Sequence, residues 1–131
     1  MRDLRKRYGD TDALKGISFE VPWGRICGYL GPNGAGKSTT IKTLVGILAP
    51  GGGSVRIAGH DMERDPLSAK AAIGYVPESG ALYGLLTTRE HLQLVAGLHG
   101  IAEESVDARI ATTLDAFGLK SLADRRIDTL S

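Results

Sequence analysis

The first part of the chain combines short apolar stretches with one helical pattern. Residues 17–21 alternate apolar and polar side chains, which predicts a strand with one buried face. Residues 25–30 predict a second, buried strand, and the glycine-rich residues 31–36 predict a loop after it. Apolar residues then recur at the i, i+3, i+4 and i+7 spacing of a helix with one apolar face. These positions are Ile41, Leu44, Val45 and Leu48.

Two more short strands are predicted after this helix, which we expect to end at Pro50–Gly53. The strands cover residues 54–59 and 73–77, and residues 60–72 between them predict a loop with one helical turn. Because strands and a helix follow one another in this way, the first 77 residues predict a parallel α/β core.

Helical patterns account for the rest of the chain. Thr87 followed three residues later by Glu90 is the signature of a capping box, and it predicts a helix that ends at Gly100. A further helix is predicted over residues 103–117, with Gly118 after it. The apolar face of this last helix consists of Val106, Ile110, Leu114 and Phe117.

Composition excludes several classes of protein. The 131 residues carry a formal net charge of +1, which gives no support to a broadly basic nucleic-acid binder. No apolar run approaches the ~18 residues of a membrane helix, so we expect no direct membrane insertion. The basic run at residues 2–7 is interpreted as a solvated strand edge.

Cysteine and histidine give no sign of a disulfide or a metal site. Cys27 is the only cysteine, so an internal disulfide is excluded, and its place in a predicted buried strand predicts a small core residue. The three histidines are far apart and have no cysteine partner, which argues against a metal site. They are His60, His91 and His99.

The strongest motif is a phosphate-binding loop. Residues 31–38 read G-P-N-G-A-G-K-S and match the pattern G-x-x-x-x-G-K-S/T between a predicted strand and a predicted helix. The alternative is an ordinary glycine-rich turn with a fortuitous lysine. The candidate nucleotide-binding residues are Gly31, Pro32, Asn33, Gly34, Ala35, Gly36, Lys37, Ser38 and Thr39.

Each part of this motif suits a triphosphate. Glycines allow the backbone N–H groups of residues 34–39 to converge on one anion, and the following helix adds its positive end. Lys37 is expected to reach the β- and γ-phosphates and to act in catalysis, and the Ser38 hydroxyl to ligate Mg²⁺. Thr39 is placed to contact the α-phosphate.

Segments on both sides of the loop extend the pattern. They are K-R-Y-G at residues 6–9, A-L-K-G-I-S-F-E-V at 13–21, G-I-L at 46–48, S-V-R-I-A-G at 54–59 and I-G-Y-V-P at 73–77. Together with the loop, these segments resemble an ABC transporter ATP-binding subunit. The variant resembles that of the ABC-2 type exporters of drugs, lipids or polysaccharides.

The resemblance implies an α/β fold and a division of the chain. The expected fold is a P-loop NTPase with a RecA-like core over residues 1–77 and an incomplete sheet. Residues 78–131 are expected to hold the Q-loop and the start of the ABC-type helical subdomain. ATP and Mg²⁺ are the implied cofactors.

Two more residues receive roles from the resemblance. Tyr8 matches the A-loop aromatic residue that stacks on adenine, and the alternative is a tyrosine that packs its ring on the core. Glu78 stands where the family usually has the Q-loop glutamine, and a carboxylate there remains able to ligate Mg²⁺ and act near the attacking water. The alternative for Glu78 is a solvated loop carboxylate.

The last residues, Leu130 and Ser131, match the beginning of the family's signature motif. We expect a chain that holds the A-loop, the phosphate loop and the Q-loop, without the rest of the signature, Walker B or the switch histidine. Such a fragment is expected to bind nucleotide weakly, to hydrolyse it negligibly and to be marginally stable, with a tendency to aggregate.

The resemblance implies a cytoplasmic protein that is peripheral to the cell membrane. Its expected partners are an ABC transmembrane permease subunit, docked near residues 78–90, and a second nucleotide-binding domain. The alternatives are a fragment of an ABC ATPase that does not act in transport and a truncated product without catalytic activity.

Overall fold

The computed structural model describes residues 1–78, 80 and 82–130. The chain divides into two units, Met1–Tyr75 and Val76–Ser131. Ser131, the second residue of the expected signature motif, lies outside the described residues. Among the residues that are described, no helix has both the length and the apolar character that a membrane span requires.

An antiparallel sheet forms the centre of the first unit. Its strands are β1 (Arg2–Tyr8), β2 (Thr11–Ile17) and β3 (Gly52–Ser54), in the order β2-β1-β3. Since β1 pairs with β2 on one side and with β3 on the other, the basic run lies on the middle strand. The interpretation of that run as a strand edge is therefore wrong, although most of its side chains are exposed.

The core of the first unit is small. Leu4, Leu14 and Val55 are buried together, because alternate side chains of β1 and β2 point to one face of the sheet. Partly buried apolar residues surround this cluster: Met1, Ile17, Leu44, Ile57 and Met62.

A hairpin and a short helix follow β3. Residues 54–59 are predicted as one strand, but the structure forms β4 (Arg56–Ile57) and β5 (His60–Asp61) as an antiparallel pair. The turn residues between them, Ala58 and Gly59, have positive φ angles of 51° and 87°, as a tight hairpin turn requires. Helix α2 (Pro66–Ala71) then begins after Asp65, whose side chain accepts a hydrogen bond from the Ser68 N–H.

Helix α1 (Lys37–Leu44) ends earlier than predicted. Gly46 has a φ of 71°, and the Ile47 N–H donates to the Lys42 carbonyl over 2.8 Å. The Gly46 N–H donates to the Thr43 carbonyl over 3.1 Å, which completes a Schellman ending. The glycine therefore stops the helix before the residues Pro50–Gly53, where the sequence pattern places its end.

Three predicted strands are wrong. Only Ile17 of residues 17–21 belongs to a strand, because β2 lies upstream. Residues 25–30 and 73–77 form no strand, and Ile26 and Leu30 are almost fully exposed. A strand needs hydrogen-bonding neighbours, and none of the described strands pairs with either segment. The described strand pairs are all antiparallel, so the parallel core expected from the sequence is not formed by them.

The prediction that Cys27 is a small core residue is also wrong. It is exposed rather than buried, because it lies in the segment that forms no strand.

The predicted fold class is nevertheless confirmed: the molecule mixes helices with small, incomplete sheets, as a partial P-loop NTPase domain does.

The second unit is built on two helices. Helix α3 (Thr88–Leu98) begins with the predicted capping box, in which Thr87 Oγ1 accepts from the Glu90 N–H and the Glu90 carboxylate accepts from the Thr87 N–H. Helix α4 (Glu103–Ala116) follows, and Gly100 and Gly118 end the two helices as predicted. A small core packs between the elements; its members are Ile110, Leu114, Ala123, Leu92 and Val106.

The end of the described chain returns to the start of α3. Turns of 3₁₀ helix at Lys120–Leu122 and Ile127–Thr129 bring residues 123–128 beside residues 84–89. The Arg89 N–H donates to the Ala123 carbonyl over 2.9 Å, and an isolated antiparallel bridge joins Thr87 to Arg126. This strip of backbone hydrogen bonds fixes the position from which α3 starts.

Candidate phosphate-binding site

The predicted phosphate loop runs directly into α1. Gly34 and Gly36 have φ angles of 80° and 83°, and the Ala35 N–H donates to the Pro32 carbonyl over 3.3 Å. Residues 31–35 are exposed, so the loop is open to a ligand. This is the conformation that the sequence motif predicts for a backbone that wraps an anion.

Gly36 is required for a second reason, which is lack of space. A Cβ atom at this position would lie 2.6 Å from the Ala13 carbonyl oxygen and 2.8 Å from Cδ2 of Leu14. Strand β2 thus packs directly against the end of the loop. The loop and α1 are held on the sheet at the point where the helix begins.

The N-cap and first turn of α1 carry no negative side chain. Its N-cap, Gly36, offers no side-chain hydrogen bond, and its first turn contains no acidic residue. The other described α-helices each have one: Asp65 caps α2, Glu90 lies in the first turn of α3, and Glu103 lies in that of α4. The first N–H groups of any helix lack intrahelical partners. In α1 they are left available for an anion.

Lys37 adds a full positive charge at the same place. Its Nζ donates to the carbonyl oxygens of Gly31 and Pro32, each over 2.6 Å. The side chain therefore folds back over the loop and holds the ammonium group at its rim. A phosphate bound to the loop would lie beside this charge.

Ser38 and Thr39 complete the first turn of α1. The Ser38 residue is exposed and Thr39 is half-buried. The described hydrogen bonds leave the Ser38 hydroxyl free to act as an oxygen ligand, which is the type that Mg²⁺ prefers. The Thr39 carbonyl accepts a hydrogen bond of 2.8 Å from the Thr43 hydroxyl, one turn later in α1.

Tyr8 lies at the end of β1, about half exposed. The Nζ of Lys6 lies 5.6 Å from the centre of its ring and donates a hydrogen bond of 2.7 Å to the Ala49 carbonyl. This placement is compatible with both interpretations of Tyr8, stacking on adenine and packing on the core, because a half-exposed ring is accessible on one side and packed on the other.

The neighbouring basic side chains on β1 are largely neutralised locally. Arg5 donates to Asp3 over 3.0 Å, and this hydrogen bond raises the pKa of Arg5 above its ordinary value. Arg7 lies 3.7 Å from Asp10 and 3.8 Å from Asp12. The strand therefore presents no strong positive patch.

Glu78 belongs to the second unit and is exposed. Within residues 1–78, 80 and 82–130, no group of three or more His, Cys, Asp or Glu side chains could hold a metal ion.

Comparison with known proteins identifies the family. The family model described as ABC transporter matches residues 14–131. The chain belongs to this family. A solved structure described as the ATP-binding subunit of an ABC transporter shares 33% sequence identity with a TM-score of 0.85, and the match covers 99% of this chain and 54% of that one.

Curated relatives carry names of the same kind. The probable multidrug ABC transporter ATP-binding protein YbhF of Escherichia coli is 38% identical over 98% of this chain and 22% of its own. The linearmycin resistance ATP-binding protein LnrL of Bacillus subtilis is 37% identical, and the daunorubicin/doxorubicin resistance protein DrrA of Streptomyces peucetius 38%. Those matches cover 98% of this chain and 42% and 39% of the relatives, so the chain spans less than half the length of each.

Next to the candidate loop, the structure shows a contact between two residues that the sequence patterns do not single out. The Tyr29 hydroxyl lies 3.3 Å from Oγ1 of Thr40, and Thr40 is fully buried. The sequence signal that could have indicated Thr40 is its place as the second threonine of K-S-T-T, where a polar residue falls on the inner face of α1. Tyr29 lies within the segment predicted as a strand, where it reads as one more apolar residue.

A well-defined cavity of the first unit lies elsewhere. It has a volume of about 470 Å³ and is lined by residues near the C-terminal end of α1, the Gly51–Ser54 segment and α2. None of residues 31–40 lines it. A phosphate group is bound by an exposed loop rather than by an enclosed cavity, so cavity size does not locate this site.

Proposed function

We propose that this chain binds ATP together with Mg²⁺ through residues 31–39 and acts in an ABC transporter that couples ATP binding and hydrolysis to export. The observation that carries this proposal is the start of α1, where unpaired N–H groups and the Lys37 ammonium meet without any acidic residue. A polyphosphate supplies the negative charge that this helix end lacks.

The residues have separate roles in this proposal. The loop N–H groups and Lys37 bind the β- and γ-phosphates, Thr39 contacts the α-phosphate, and Ser38 ligates Mg²⁺. When bound, Mg²⁺ neutralises charge on the phosphates. Tyr8 stacks on adenine, and offset stacking of this kind contributes about 0.5–1.5 kcal/mol. Glu78 supplies a carboxylate near Mg²⁺ and the attacking water.

The partners and the place of action follow from the family and from the names of the relatives. We assign a permease subunit that spans the membrane and a second nucleotide-binding domain as partners. The chain then acts at the cytoplasmic side of the membrane. Export is favoured over import because the similar proteins LnrL and DrrA are named for resistance to toxic compounds.

Binding and hydrolysis are separable in this proposal. Phosphoryl transfer requires a second Mg²⁺ ligand and a water-orienting group in addition to a phosphate loop. Of the residues given roles here, Glu78 alone would stand near the attacking water. The 131 residues by themselves are therefore expected to bind ATP and to hydrolyse it negligibly.

The test compares two lysines on the same helix. Lys37→Ala removes the cation at the loop, whereas Lys42→Ala removes an exposed cation from the last turn of α1. Hydrogen bonds to a charged group contribute about 1.5–3 kcal/mol, so Lys37→Ala should weaken ATP binding about ten- to hundred-fold. Titration calorimetry with ATP and Mg²⁺ on the complete encoded polypeptide measures both affinities.

The matched control should bind ATP with nearly the wild-type affinity. Equal affinities of the wild type and Lys37→Ala, with both proteins folded, would show that residues 31–39 do not bind the phosphates.

A further inference from the structure

A pair of hydroxyl groups ties the segment that enters the phosphate loop to the first turn of α1. The Tyr29 hydroxyl and Oγ1 of Thr40 are 3.3 Å apart, and either one is able to donate. The two residues are separated by ten others, and the whole phosphate loop lies between them. This contact joins the residues on either side of the loop.

Thr40 is the more constrained member of the pair. Its side chain is fully buried, and its N–H donates to the Gly36 carbonyl over 2.8 Å, which closes the first turn of α1. A buried hydroxyl without a partner is costly, because it loses its hydrogen bonds to water. Tyr29 is the side chain that the described structure offers to this hydroxyl.

Tyr29 is itself held from the other side. Its ring lies 5.5 Å from the ring of Phe19, centre to centre, at an angle of 39°. The Phe19 N–H donates to the Met1 carbonyl over 3.3 Å, and the Met1 amino group donates to the Phe19 carbonyl over 2.9 Å. The tyrosine therefore links residues beside the sheet to the base of α1, on a segment that no strand pairing holds in place.

We propose that Tyr29 is a positioning residue, which acts through the Thr40 hydroxyl to hold the two ends of the phosphate loop at the spacing that phosphate binding needs. This inference rests on the proposed function, since it assigns a role only if residues 31–39 bind phosphates. Tyr29 makes no contact with the nucleotide in this arrangement.

Variants that remove one hydroxyl and keep the shape test the pair. Tyr29→Phe keeps the ring beside Phe19, and Thr40→Val keeps the branched side chain in the buried space. Each should weaken ATP binding about five-fold, which is the value of one neutral hydrogen bond. The double variant should be no weaker than either single variant, because the bond is lost only once. Thr40→Ser should restore most of the affinity, since it retains the hydroxyl.

The measurements are ATP affinity in the presence of Mg²⁺ and the melting temperature, both on the complete encoded polypeptide. A role in stability alone would lower the melting temperature and leave the affinity of the folded protein unchanged, which would overturn the inference. Additive losses in the double variant, or failure of Thr40→Ser to restore binding, would also overturn it.

Lys37→Ala in the same assay separates this inference from the proposed function. Loss of binding in Lys37→Ala with wild-type affinity in Tyr29→Phe refutes the positioning role alone. Wild-type affinity in folded Lys37→Ala refutes phosphate binding by the loop, and the positioning role with it.

Discussion

A methyl group at position 36 would cause both backbone strain and a steric clash. The backbone φ of 83° is one that residues with a Cβ adopt at a cost, and the added atom would lie 2.6 Å from the Ala13 carbonyl oxygen. Backbone oxygen cannot move aside as a flexible side chain does. The contact between β2 and the start of α1 therefore depends on one hydrogen atom in place of a methyl group.

Gly36→Ala is expected to lower the free energy of unfolding by about 2–4 kcal/mol, from a left-handed backbone and a steric clash together. Gly28→Ala is the control, because Gly28 has open space around it and no positive φ. Its effect should stay within about 1 kcal/mol. Urea denaturation of the three proteins measures the difference, and equal stability of both variants would contradict the close packing.

Glu78→Gln tests the metal role proposed for this residue. Replacing the carboxylate with an amide removes a charged ligand, so the Mg²⁺ concentration needed for half-maximal nucleotide binding should change. Glu20→Gln, at another exposed glutamate, should leave it unaltered. If both variants show the wild-type dependence on Mg²⁺, Glu78 is not a ligand and is better described as a solvated loop carboxylate.

At the scale of elements, signals that lie within a few residues of each other predict this fold well. The capping box of α3 spans four residues. At the ends of α3 and α4, Gly100 and Gly118 donate to carbonyls three residues earlier, and the residue after each glycine donates to a carbonyl five residues earlier. The phosphate loop belongs to the same class, since its conformation is set by its own glycines. The capping box and the two glycine endings are confirmed by the structure, whereas phosphate binding by the loop stays a prediction.

The strands are different, because a strand exists only beside another strand. Residues 25–30 have the composition of a buried strand but no described partner, and they remain outside the sheet. The antiparallel pairing of β1 with both β2 and β3 brings together residues as far apart in sequence as Arg2 and Ser54. The contact between Tyr29 and Thr40 cannot be predicted from the sequence for the same reason, because it depends on tertiary packing rather than on residue spacing.

The capping box makes the stability of α3 depend on pH. Hydrogen bonds from the Thr87 N–H and hydroxyl lower the pKa of Glu90 below its ordinary value. This stabilisation is present above the ordinary pKa and is lost as the pH falls through the lowered pKa of the folded state. The melting temperature of the wild type should therefore exceed that of Glu90→Gln at neutral pH, and the gap should close in acid.

Other carboxylates do not obscure this comparison. The pKa values of Asp61, Asp65 and Asp124 are lowered as well, by hydrogen bonds that both proteins share. Their contributions cancel when the variant is subtracted from the wild type. A gap that stays constant from neutral to acid pH would show that the Glu90 charge does not stabilise the helix.

At the scale of the whole molecule, the exposed apolar residues stand out. Ile26 and Leu30 in the first unit and Val76 in the second are each more than nine-tenths exposed. Single exposed apolar residues are ordinary, but these three lie in segments whose sequence pattern predicts strands. Unpaired backbone of that kind is also a template for pairing with another chain.

The 131-residue chain is accordingly expected to melt over a broad range and to aggregate at micromolar concentration. Replacing Ile26 and Leu30 together with threonine should reduce light scattering on heating, because it removes exposed apolar surface. Replacing the exposed Arg109 and Lys120 with glutamine serves as a control that leaves the apolar surface intact. A sharp, cooperative transition without scattering in the unmodified chain would refute the prediction.

The hydrogen bonds that join the start of α3 to the end of the described chain have a kinetic consequence. The amide protons of Thr88, Arg89, Ile127 and Asp128 all donate across this strip. Hydrogen exchange in deuterated water should give these four amides the same free energy of opening, since opening the strip exposes them together. A protease that cleaved the backbone after Gly100 would leave α3 and α4 on two separate peptides. The hydrogen bonds of the strip would still hold these peptides together as one complex.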